Sequence, residues 1–84
     1  MSDDKMELRF LAMYIESALH AKGITQIKMG EDIGLQRTQV SDILNAKCNP
    51  SFSRVMKIFR YLGISPDAYE LDLNKALKIF KDIK

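Results

Sequence analysis

From Met6 to Ile83 the apolar residues recur at steps of three and four, and no segment alternates with period two for long enough to make a strand. That periodicity confines the chain to an all-α fold. Punctuation at Gly23, Gly34, Asn49-Pro50 and Gly63 confines it further, to short helices joined by tight turns. Eighty-four residues make one domain with a modest core, so self-association would add stability.

The spacing predicts a first helix over Met6–Ala21, with Leu8, Leu11, Ile15, Ala18 and Leu19 on one face and Lys22-Gly23 as its stop. Thr25 caps a second helix that runs through Ile33, and Gly34 stands where a left-handed C-terminal cap is wanted. A third helix spans about Gln36–Asn45 with Val40, Ile43 and Leu44 inward. It ends before Asn49-Pro50, because the residue ahead of proline avoids helical angles. Ser51 caps a fourth helix with a stripe of Phe52, Val55, Met56, Phe59 and Leu62, closed by Gly63. Ser65-Pro66-Asp67 opens a short fifth segment near Ala68–Tyr69. Asp72 then begins a last amphipathic helix, with Leu73, Ala76, Leu77, Phe80 and Ile83 opposite Lys75, Lys78 and Lys81. The five methionines read as core filling.

Composition removes several classes of function. One cysteine and one histidine supply neither an internal disulfide nor a structural zinc site, which points to a reducing, cytoplasmic setting. No apolar run approaches the roughly 18 residues of a membrane span, and Met1–Lys5 is acidic with no secretory core behind it. Serine, aspartate and histidine are all present, but nothing arranges them as a triad. No catalytic residue, metal site or cofactor is expected, and the chain does not read as an enzyme. His20 is structural or simply exposed; Cys48 is a small side chain or, alternatively, a redox sensor.

Charge is distributed unevenly. Residues 1–35 carry four basic and six acidic side chains, whereas 36–60 carry Arg37, Lys47, Arg54, Lys57 and Arg60 against Asp42 alone. That basic middle third is either a footprint for phosphate or a solvated helix face.

The informative stretch is Thr25–Leu44, TQIKMGEDIGLQRTQVSDIL. Two short helices meet at Gly34-Leu35, with Met29, Ile33, Leu35, Val40 and Ile43 apolar. Gly30 lies where the following helix has to pass closely. This is the spacing of a helix-turn-helix, in which the second helix is left projecting.

KGITQ at 22–26, the glycine turn, VSDIL at 40–44, NPSF at 49–52 and VMKIFRYLGISPDAY at 55–69 resemble the Xre/Cro/cI-type repressor family, over about residues 11–69. The resemblance implies a five-helix, lambda-repressor-like domain over 1–71, here with an additional C-terminal helix over 72–84. Phage repressors, restriction controllers and addiction-module antidotes belong to this superfamily. Two positions depart from its pattern. An arginine near the end of helix one and a glutamate at the end of helix three are replaced together by Leu19 and Leu44. Joint replacement of a buried ion pair by fitting apolar groups is often neutral or stabilising, so a packed contact is expected there. Gly30 stands where alanine is usual, at a cost of about 0.5–1 kcal/mol in helix propensity, which implies close packing or local softness.

With Val40 and Ile43 inward, helical geometry turns Arg37, Thr38, Ser41 and Asp42 outward as candidate base contacts. Arg37 suits guanine O6 and N7, and Thr38 suits a thymine methyl or a base edge. Asp42 suits cytosine N4, or orients Arg37, or is a solvated acid. By resemblance, Gln26 donates to a phosphate at the start of the second helix, while Gln36, Gln39, Asn45 and Lys47 hold register on the backbone. Tyr61, Ile64, Tyr69, Leu71, Leu73, Leu77, Phe80 and Ile83 form a candidate dimer interface; the alternative is that the tail folds back on its own domain. The implied function is a homodimeric regulator, a repressor of a palindromic operator in double-stranded DNA. The competing reading is an antitoxin or adaptor that chiefly binds a protein partner, such as a toxin or antirepressor.

Overall fold

The computed structural model describes the backbone of residues 3–83 and the side chains of residues 5–81. Five helices follow one another, α1 (Asp3–Lys22), α2 (Gln26–Ile33), α3 (Arg37–Leu44), α4 (Phe52–Leu62) and α5 (Pro66–Ile83), with no strand among the described residues. The ends are set locally. Thr25 Oγ1 accepts the Lys28 N–H at 3.0 Å, and Ser51 Oγ accepts that of Arg54 at 3.2 Å. Gly34 and Gly63 take φ of 75° and 71°, the left-handed region that ends α2 and α4. Ser65 Oγ accepts the Ala68 N–H at 3.4 Å with Pro66 in the first helical position.

The core is Leu11, Ile15 and Leu19 of α1, Met29 of α2, Val40 and Ile43 of α3, and Ile58, Phe59 and Leu62 of α4. No polar side chain is buried among the described residues. Leu19 is buried and Leu44 packs against the same cluster, so the site of the missing ion pair is occupied by aliphatic groups. Gly30 has a steric reason. A Cβ there would lie 2.9 Å from the Leu35 carbonyl oxygen in the turn and 3.2 Å from Val40 Cγ2 of α3, so turn and helix together approach α2 too closely for even an alanine without a shift.

Four expectations change. α1 begins at Asp3 rather than Met6. Acidic residues stabilise a helix N-terminus, so the helix starts before its apolar stripe does. The fifth segment and the last helix are one helix. Glu70-Leu71-Asp72 contains no breaker, and Asp72 is not a cap, since its carboxylate accepts the Tyr14 hydroxyl at 2.9 Å. On α4 the buried stripe passes through Ile58, which is 0% exposed, while Phe52 is 77% exposed on the first turn, beyond the reach of the core. Met13 is likewise 62% exposed, so it fills no core; Met29 does.

α5 is fastened to the rest by aromatic rings. Tyr69 stacks edge-on against Tyr14 and Phe59, with ring centroids 5.0 and 5.1 Å away, and Phe10 lies 5.8 Å off. Burial, with Glu7 and Tyr14 adding to it, pushes the Tyr69 hydroxyl up to about 12.

Candidate nucleic-acid interface

The candidate surface lies on α3, whose eight residues are too few to be helical alone and are held by packing at one side and capping at one end. Val40 and Ile43 are each 3% exposed. Their burial fixes the rotation of the helix, and the residues opposite them in projection face out. Arg37, Thr38, Ser41 and Asp42 are all exposed on that outer side. Gln36 caps the helix, and its backbone N–H donates to Gln39 Oε1 at 2.8 Å. The carbonyl end of Gln39 is thus committed to the cap, which leaves its NH2 end for an acceptor such as phosphate. Asn45 Nδ2 donates to the carbonyl oxygen of Ser41 at 2.8 Å and to its Oγ at 3.2 Å, so two residues assigned different roles share one hydrogen-bonded unit.

The start of α3 is flanked on both sides. A groove toward α2 is lined by Gln26, Ile27, Arg37 and Ser41, with Gly30 and Val40 beneath. Gln26 opens α2, and its Nε2 donates to Glu16 Oε2 of α1 at 3.1 Å. A second cleft is lined by Gln39, Ser51, Ser53, Arg54 and Lys57, where the start of α4 approaches. Arg54 and Lys57 figured in the sequence only as charge; their position beside α3 depends on how α4 packs. Lys47 is exposed in the following loop. In that loop Ala46 adopts φ of 56°, and the Lys47 N–H donates to the Asp42 carbonyl at 2.9 Å. Glu16 and Ile27 join this region only through the fold, Glu16 by a contact across ten residues that no local pattern signals.

The residues expected at a dimer interface have mixed positions. Tyr61, Ile64 and Tyr69 pack against the domain's own core. The Tyr61 hydroxyl donates to Asp32, which also pairs with Lys28 at 3.1 Å. The Tyr61 bond, then the lysine, holds the Asp32 carboxyl below its usual range. Leu71 is exposed, and Leu73, Leu77 and Phe80 are half-buried. Ile83 closes α5, but its side chain lies outside the described residues. Folding back therefore describes the first half of α5, through Tyr69 and Asp72. Between α1 and α5 runs an apolar groove with Met13 and Ile79, 62% and 60% exposed, on its rims.

Cys48 is half-buried against the core and His20 is exposed on α1. No group of three or more metal-ligating side chains, and no helix long and apolar enough to cross a membrane, occurs among the described residues.

No curated protein and no solved structure matches the chain. Residues 15–69, from the middle of α1 through the aromatic anchor of α5, match a family described as helix-turn-helix. The paired short helices, the glycine turn and the exposed outer side of α3 fall inside that match. The chain belongs to the Xre/Cro/cI-type helix-turn-helix family of DNA-binding transcriptional regulators.

Proposed function

We propose that the protein is a homodimeric repressor that reads a palindromic operator with α3 in the major groove. The observation that carries this reading is the exposed set Arg37, Thr38, Ser41 and Asp42 on a helix whose opposite side is buried. Arg37 stands in the first turn, the part of a recognition helix that enters the groove first, and its guanidinium fits the two acceptors of guanine. Thr38 and Ser41 offer short hydroxyls to neighbouring base edges. Asp42 accepts from cytosine or orients the arginine.

Phosphate contacts set the register. Gln26 and the N–H groups opening α2 serve one side; Gln36, Gln39, Asn45 and Lys47 serve the other. Arg54 and Lys57 join that second group, since they line the cleft beside Gln39. One domain spans only part of a turn, so a two-fold dimer reaches half-sites about 34–36 Å apart. Leu71, Leu73, Leu77 and Phe80 of α5 supply its apolar contact, and Leu77→Glu is expected to shift sedimentation toward monomer. An unchanged dimer would put the contact elsewhere.

The deciding experiment is selection of bound fragments from a random DNA pool. A palindrome with guanine at the Arg37 position supports the whole reading, and fragments with no common sequence overturn it. A second reading, an antitoxin or adaptor that chiefly grips a protein, draws on the groove between Met13 and Ile79. Binding to DNA that is weak and insensitive to salt would favour it, because phosphate neutralisation releases counterions.

A further inference from the structure

We infer that Glu16 is a positioning residue for DNA binding, holding the Gln26 side-chain amide in the orientation in which it meets a phosphate. The inference rests on the phosphate role proposed for Gln26. Glu16 follows Ile15, whose complete burial fixes the rotation of α1 and turns Glu16 outward toward the start of α2. Gln26 is the first residue of α2, whose N-terminus the Thr25 cap fixes through the Lys28 N–H. The two side chains meet at 3.1 Å, Gln26 Nε2 donating and Glu16 Oε2 accepting.

The chemistry gives that contact a direction. A glutamine amide can turn either end outward, and only its NH2 end attracts phosphate. A carboxylate accepts and never donates, so Glu16 rejects the orientation that brings the Gln26 carbonyl toward α1. One N–H of Gln26 is spent on Glu16 and the second remains for the DNA. Without this hold the amide samples both orientations and pays for selecting one when DNA arrives. The cost is a negative charge near the approaching backbone, which restrains binding to every sequence alike.

The test separates the hold from the charge. Glu16→Asp keeps the charge but shortens the side chain by one methylene, about 1.5 Å, which opens the contact beyond hydrogen-bonding distance. Affinity for a short duplex of arbitrary sequence is measured across a salt series for wild type, Glu16→Asp, Gln26→Ala and the double variant. Melting temperatures are measured alongside.

Glu16→Asp is expected to weaken binding about threefold, with the salt slope unchanged because the charge count is unchanged. In the Gln26→Ala background the same substitution is expected to do nothing. Wild-type or tighter affinity for Glu16→Asp, or an equal loss in both backgrounds, overturns the inference while leaving the phosphate role intact. If Gln26→Ala alone costs nothing, the phosphate role itself falls, and this inference falls with it.

Discussion

The two halves of the domain solve the same problem with different chemistry. On the α2–α3 side, two helices of eight residues each are brought together by the absence of a side chain at Gly30. On the α1–α4–α5 side, longer helices are joined by buried aliphatic residues and by rings, with Tyr69 between Tyr14 and Phe59. The first half buries only Met29, Val40 and Ile43 in the core and relies besides on backbone proximity and caps, which leaves its outer side to polar residues. The second relies on apolar area, and its uncovered remainder is apolar as well, at Met13, Leu71 and Ile79. The exposed polar surface proposed to meet DNA is thus built by the half with the shorter helices.

That contrast can be broken by substitution. Phe59→Ala should have the largest effect, about 3–5 kcal/mol, because the ring belongs both to the core and to the cluster that fastens α5. A denaturant melt with a smaller loss would mean the rings are not the fastening. Gly30→Val should cost about 1–3 kcal/mol by forcing α2 from α3, and DNA binding should fall with it. An unchanged melt would show the crossing to be slack.

Arg37→Ala should leave the melt within about 0.5 kcal/mol and lower operator affinity about 5- to 150-fold; retained selectivity would move the readout to another residue. The narrowest effect, confined to one pH window, is at alkaline pH. Tyr69 loses its proton at about 12 when folded and near 10 when unfolded, so its stabilisation is complete below 10 and is lost as pH rises from 10 to 12. Tyr69→Phe should flatten the stability profile across that window, and a profile of unchanged slope would place the alkaline loss on other groups.

The caps at Thr25, Ser51 and Ser65 and the turns at Gly34 and Gly63 were legible because each is a contract between residues three or four apart. The outward set on α3 was legible for a related reason, since two inward residues on a short helix fix the rest by geometry. The end of α5 reads in the sequence as a separate helix because Asp72 has the chemistry of a cap, and only its distant partner Tyr14 tells otherwise. Phe52 was misplaced because periodicity assigns a face but not how far the core extends along it.

Sequence alone therefore determined α2, α3 and α4 with their caps, the helix-turn-helix and the side of α3 that faces outward, all consequences of local backbone geometry and of spacing. Tertiary structure decided the pairing of Glu16 with Gln26, the approach of Arg54 and Lys57 to α3, and which aromatic residues of the tail are spent within the domain. Those depend on how rods cross, and crossing angles follow from the summed fit of many side chains rather than from any neighbouring few.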